Sequence, residues 1–153
     1  MVHLSARTWD AICRHAQEPF PEECCGAIFL NKTVEEVRRI TNVQNAMHAK
    51  DPQRFPRDAT IAYLWDPKEY QEVMEKVESG AIVLKAFYHS HPNHDAYFSA
   101  EDKAAAMPWG EPSYPDTAHV VISIYDRDVK VIRAYGWDDE KKDFLEVELS
   151  TEA

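Results

Sequence analysis

Apolar and polar positions along this chain switch repeatedly between helical and strand periods, dividing it into short elements. Val2-His3-Leu4 reads as a short strand. Ser5 then stands where a helix cap belongs, and Ala6 to Gln17 places Trp9, Ile12, Cys13 and Ala16 on one face at helical spacing. Pro19 and Pro21 stop that helix. Cys25 to Leu30 is short and apolar throughout, as a buried strand would be, and the weakly alternating Thr33 to Val43 follows as its neighbour. Gln44 to Thr60, polar and interrupted by Pro52 and Pro56, is expected to be a loop, and Ile61 to Trp65 a strand. Asp66-Pro67 opens a helix whose apolar stripe is Tyr70, Val73, Met74 and Val77, and Ser79-Gly80 closes it.

Ala81 to Ser90 has the clearest strand pattern in the chain. A short helix is expected from Ala100 to Met107, then a surface loop from Pro108 to Thr117 with three prolines and a glycine. Val120 to Tyr125 and Val129 to Tyr135 form a hairpin through Asp126-Arg127-Asp128, and Phe144 to Leu149 supplies a last strand. No repeat or linker breaks this order. Residues 1–149 are therefore expected to form one α/β layered domain, with a short tail at 150–153.

Composition narrows the picture. A chain of 153 residues suits a single core, and 44% apolar with 29% charged residues marks a globular protein. No apolar run approaches the ~20 residues needed to span a bilayer. The first residues lack the basic-then-apolar layout of a signal peptide, so a cytoplasmic location with no membrane contact is expected. Seventeen basic against 27 acidic residues leave a net charge of −10, with no basic stripe for a nucleic-acid partner. The three cysteines, Cys13, Cys24 and Cys25, form no C-x-x-C pair and suggest no disulfide framework.

The chemistry concentrates in His89-Ser90-His91-Pro92 and, after a spacer, Ser99-Ala100-Glu101-Asp102. Residues two apart in a strand share a face, so His89 and His91 can converge at the C-terminal end of theirs. Two imidazoles, the Asp102 carboxylate and a water make the usual shell of a catalytic zinc. Ser99 to Asp102 also reads as a capping box, and the two readings are compatible. A hydrolytic zinc needs a base that is not a ligand. Glu22, Glu23, Glu101 and Asp95 are candidates, and Glu23 stands out because a loop enters a buried strand just after it. Cys24 and Cys25 invite a nucleophilic reading, but Cys25 reads as strand packing. The zincin H-E-x-x-H and the deaminase H-x-E with P-C-x-x-C are both missing.

Together, Pro21-Glu22-Glu23-Cys24-Cys25-Gly26, His89-Ser90-His91-Pro92 and Ser99-x-x-Asp102 resemble the JAMM (MPN-plus) metalloproteases, over nearly the whole chain. The resemblance implies a JAB/MPN, cytidine-deaminase-like fold: a mixed, largely antiparallel curved sheet flanked by helices. It implies Zn2+ on His89, His91 and Asp102, Glu23 as the proton carrier for the attacking water, and Ser99 as an aid to the oxyanion. It implies a close backbone approach at Gly26 and a substrate-binding loop carrying Trp109 and Tyr114. The substrate it implies is a ubiquitin-like or sulfur-carrier protein with a Gly-Gly tail, cut at the amide after that tail. A non-catalytic MPN-type scaffold is the alternative.

Overall fold

A computed structural model describes residues 1–152. In chain order the elements are β1 (Val2–Leu4), α1 (Ala6–Gln17), β2 (Cys25–Asn31), β3 (Val34–Ile40), α2 (Gln44–Lys50), α3 (Pro67–Glu78), β4 (Val83–Pro92), α4 (Ala100–Ala106), β5 (Ala118–Tyr125), β6 (Asp128–Asp138), β7 (Asp143–Val147) and β8 (Leu149–Thr151). Six strands form one sheet in the order β3-β2-β4-β5-β6-β7, antiparallel except for the parallel β4–β5 pair. The expected α/β layering with a mixed, mostly antiparallel sheet is therefore the observed one. The tail expected from residue 150 begins inside β8, which pairs in parallel with β1 and sets Leu4 opposite Thr151.

Local signals place the elements. The Ser5 side chain accepts from the Thr8 amide at the start of α1, and the Asp66 side chain accepts from the Glu69 amide at the start of α3. Tyr125 sits opposite Asp128, so the β5–β6 turn has two residues, Asp126 and Arg127, both with positive φ (51° and 65°). That is the turn whose twist matches a β-hairpin.

The sheet has a differently filled layer on each face. Ile12 and Ala16 of α1 pack with Ile28, Ala86, Tyr88, Val120, Ile122 and Ile124. On the other face Val73 and Met74 of α3 pack with Cys25, Phe29 and Ile40, and Phe87 joins them. Alternation along β4 thus sends Ala86 and Tyr88 to the α1 layer and puts His89 and His91 on the face of Phe87.

Three expectations are corrected. The loop expected from Gln44 begins as helix α2, because the Asn42 side chain accepts from the Gln44 amide and starts the turn. Ile61 to Trp65 is not a strand and makes a single bridge, Trp65 to Asn42. Side chains take up its backbone groups instead: Asn42 Oδ1 accepts from the Leu64 amide at 3.0 Å, and Arg57 Nη1 donates to the Ile61 carbonyl at 3.0 Å. β4 also runs two residues beyond its expected end at Ser90, with Pro92 still in register with Ile124 of β5.

Gly26 is where β2 comes closest to its surroundings. A Cβ there would lie 2.5 Å from the Arg38 carbonyl oxygen and 2.5 Å from the Tyr88 ring. Neither a sheet carbonyl nor a fully buried ring can step aside cheaply. Gly26→Ala is expected to lower stability by about 2–3 kcal/mol, measured by urea unfolding. An unchanged midpoint would contradict this packing account.

Candidate functional site

His89, His91 and Asp102 meet at the mouth of β4. His89 Nε2 lies 3.1 Å and His91 Nε2 3.2 Å from Asp102 Oδ2, and the two Nε2 atoms are 3.1 Å apart. Both histidines are buried. The His91 Nδ1 is 2.8 Å from the Asp95 carbonyl, which can only accept, so Nδ1 carries a proton and Nε2 is the ring nitrogen that a metal could take in place of its own proton. The His89 ring stacks on Tyr63, with centroids 4.6 Å apart.

The spacer between strand and helix is pinned along its length. The Asn93 amide donates to Ile124 O at 2.7 Å, Ser123 Oγ to His94 O at 2.6 Å and Tyr135 Oη to Ala96 O at 2.5 Å. Phe98 is buried against Phe144 and Val121. α4 therefore starts at a defined point facing β4. There Ser99 and Asp102 form the capping box: Ser99 Oγ accepts from the Asp102 amide at 3.0 Å, and Asp102 Oδ2 accepts from the Ser99 amide at 3.1 Å. With Oγ already accepting that bond, the Ser99 hydroxyl proton is free to point into the site.

Glu23 is 6% exposed, although it lies in the segment leading into β2. Its amide donates to Ala59 O at 2.7 Å, and Asn42 Nδ2 donates to its carbonyl at 3.0 Å. Ser90, between the two histidines but on the opposite face, locks this segment to β4. Its hydroxyl accepts from the Cys24 amide at 2.8 Å, and its own amide donates to Cys24 O at 3.1 Å.

A cavity of about 710 Å³ is lined by Glu23, His91, Ser99 and Asp102. Apolar walls from Leu64, Trp65, Phe87 and Tyr114 extend it away from the cluster. Burial pushes the Glu23 carboxyl up to about 8. The neighbouring His91 opposes that shift, Asp102 adds to it and Arg57 opposes it. Burial also works to raise Asp102, but the charges and hydrogen bonds of His89 and His91 outweigh it and hold that carboxyl well below the usual range. The cavity thus pairs an ionised carboxylate with a nearby carboxyl able to carry a proton near neutrality.

Of the other candidate bases, Glu22 and Glu101 are exposed, and exposed Asp95 binds the Tyr125 hydroxyl at 2.8 Å. Cys25 is packed beside Ile40 and Val73, and burial pushes the Cys24 thiol up to about 12. Trp109 is 90% exposed and lies outside the cavity lining, whereas Tyr114 lines the cavity, packs on Phe87 and hydrogen-bonds the Tyr70 hydroxyl. His94 lines the cavity. Tyr63, Ser90, Arg57 and His119 are additions that sequence reasoning missed. His119 is buried against Phe98 and Phe87, and burial lowers it to about 4.

The donor set fits zinc. Ligands ~2.0–2.1 Å from a tetrahedral ion stand about 3.3 Å apart, close to the separations here. Two imidazoles and one carboxylate leave a fourth position for water or substrate.

A mixed sheet with paired histidines at a strand mouth and an aspartate on the following helix defines a JAB/MPN-type domain. The chain belongs to the family described as prokaryotic homologs of the JAB domain, whose pattern matches residues 5–135. It is 29% identical to a protein called desampylase from Haloferax volcanii, over 99% of this chain and 96% of that one. It is 30% identical to tail tip assembly protein K of Escherichia phage N15 over 74% of this chain, which spans only 41% of that protein. Among solved structures, a Desulfitobacterium hafniense protein matches with TM-score 0.70 and 21% identity, covering 99% of this chain and 93% of that one. A JAB1/MPN domain protein from Archaeoglobus fulgidus matches with TM-score 0.53 and 18% identity over the full length of both.

The Glu23 shift has a consequence for stability. Folding raises this carboxyl from 4.5 to about 8. The stabilisation it brings is complete below the unfolded value and is lost as pH rises through the folded one. Glu23→Gln cannot ionise and escapes that loss. In chelator-treated protein the variant is expected to be more stable than wild type at about pH 9, with the gap closing toward pH 4.5. Urea unfolding at several pH values measures this, and a gap independent of pH would contradict it.

Proposed function

We propose that this chain is a zinc-dependent isopeptidase or peptidase that hydrolyses the amide after the C-terminal Gly-Gly of a ubiquitin-like or sulfur-carrier protein. One observation carries the reading: buried Glu23 lines the same cavity as His91, Ser99 and Asp102, with its carboxyl poised near neutrality. The relative called desampylase, matched across nearly the full length of both chains, supports an isopeptidase acting on ubiquitin-like modifiers.

Zinc held by His89, His91 and Asp102 would act as a Lewis acid, bringing water to a pKa of about 7 and polarising the scissile carbonyl. Glu23 takes the proton from the attacking water and later delivers it to the leaving amine. Its desolvated surroundings match its proton affinity to both steps. Ser99 donates its free hydroxyl proton to the oxygen that gains charge. The Asp95 carbonyl holds His91 in the ligating tautomer. The apolar walls receive an extended peptide tail, and exposed Trp109 offers a contact to the folded body of the carrier.

The scaffold alternative needs no proton carrier, so a buried carboxyl lining the cavity favours the enzyme. The test is chelator-sensitive cleavage of Gly-Gly-tailed fusions by zinc-loaded protein. Glu23→Ala is expected to keep the fold and one zinc per chain while losing at least about 100-fold in rate. Ser99→Ala is expected to lose about 1 kcal/mol of stability with its cap and about 100-fold in rate. Full activity of Glu23→Ala would overturn the base assignment, and failure of zinc-loaded wild type to cut any fusion would favour a scaffold.

A further inference from the structure

His119, near the start of β5, is only 7% exposed. Phe98, Phe87 and Phe144 surround its ring, with centroids 4.9, 5.5 and 5.2 Å away. Among the described residues no hydrogen bond reaches either ring nitrogen, although buried polar groups normally find a partner. No fully buried side-chain nitrogen or oxygen among those residues lacks one, so the His119 nitrogens open onto free space. The space that His119 lines is the cavity. Burial keeps the ring neutral, so it offers one N–H and one lone pair. Its surroundings there are the apolar walls of Phe87 and Tyr114. A charged ligand group would be desolvated among them with no opposite charge beside it. A peptide group is neutral and can use such a ring as donor or acceptor.

The strand register selects the peptide group. In the parallel β4–β5 ladder His119 pairs with Phe87, and Val121 pairs with His89. His119 therefore shares the face of His89 and His91, two residues, or about 7 Å, back along the strands from His89. β2 and β5 flank β4 on opposite sides. Glu23, which leads into β2, delivers the proton to the leaving amine, so the leaving group lies toward β2 and the tail toward β5. An extended tail also advances about 3.3 Å per residue. Two residues back from the scissile carbonyl is the peptide group that joins the first glycine of Gly-Gly to the residue before it.

Resting on the hydrolase reading above, we propose that His119 hydrogen-bonds this peptide group of the tail. The contact fixes the register of the tail against the His89–His91–Asp102 cluster. The apolar walls take the rest of the chain, and the one neutral polar group among them reads its backbone.

The probes are the peptide Ala-Ala-Gly-Gly-Ala and the same peptide with glycolate in place of the first glycine, which turns that one link into an ester. The ester has no N–H and a weaker carbonyl acceptor. Both are titrated by calorimetry into zinc-loaded Glu23→Gln protein, from which the proton carrier is gone. The amide is expected to bind about 10-fold more tightly than the ester. His119→Phe keeps an aromatic ring among the phenylalanines. It is expected to bind the amide about 10-fold more weakly with no change for the ester, and His119→Gln to recover part of the loss. A merely structural His119 would weaken both peptides equally, and that result would overturn the assignment. Equal or undetectable binding of the two peptides by protein that keeps His119 would also overturn it. Nitrogen-15 spectra of the His119 ring need no substitution at that position, should His119→Phe fail to fold. A ring-nitrogen shift produced by the amide and not by the ester supports the proposal, and the same shift with both, or none, overturns it. Binding is read without any cleavage, so the contact is decided separately from the hydrolase reading, which fails only if zinc-loaded wild type cuts no fusion.

Discussion

One oxygen atom joins two parts of this fold. Asp102 Oδ2 accepts the Ser99 amide, completing the cap of α4, and the same atom stands 3.1 and 3.2 Å from the ring nitrogens of His89 and His91. The helix start and the His89–His91–Asp102 cluster are therefore a single piece of geometry. A capping box is worth only about a kilocalorie as a cap. Here it also fixes the χ angles of a candidate metal ligand and sets the position of the neighbouring hydroxyl. Taking a carboxylate into a largely buried place is costly unless partners compensate. The two imidazoles and the amide do so, which is why Asp102 stays ionised where Glu23, in similar burial, holds its proton toward neutrality.

The rest of the fold supplies the fixed points this arrangement needs. The parallel β4–β5 pair carries β4 out to Pro92 and anchors the spacer through Asn93 and His94. Tyr135 from β6 and Phe98 in the small aromatic cluster finish the anchoring before α4 begins. From the other side, Ser90 clamps the Cys24 backbone while Asn42 and Ala59 hold Glu23 itself. The two halves of the site lie far apart in sequence and are held by hydrogen bonds on both faces of one strand. Such support is what keeps a reacting constellation within tolerance.

Much of this was legible in the chain. Strand alternation put His89 and His91 on one face, the residues from Ser99 to Asp102 announced a cap, and Ser5 and Asp66 marked their helices. Glu23 was visible because an acid just before a buried strand is unusual. Other parts were hidden for physical reasons. α2 lacks a side-chain cap of its own and begins because Asn42, in the preceding segment, captures its first amide. Ile61 to Trp65 has strand composition, yet side chains from Asn42 and Arg57 satisfy its backbone, which propensity cannot foresee. Tyr63, Ser90, Arg57 and His119 take their places from tertiary contacts with no local spacing to announce them. The Pro-rich loop was expected to bring both Trp109 and Tyr114 to the substrate. Tyr114 turns inward onto Phe87, while Trp109 points to solvent.

The proposed zinc would be held by His89, His91 and Asp102. Zinc K-edge X-ray absorption on protein loaded with one equivalent would read the ligand atoms themselves. The expected spectrum is four-coordinate, with nitrogen and oxygen neighbours only, at ~2.0–2.1 Å and an imidazole count of two. A sulfur neighbour at ~2.3 Å, which would bring in Cys24 or Cys25, or a spectrum unchanged by Asp102→Ala, would contradict the assignment of His89, His91 and Asp102.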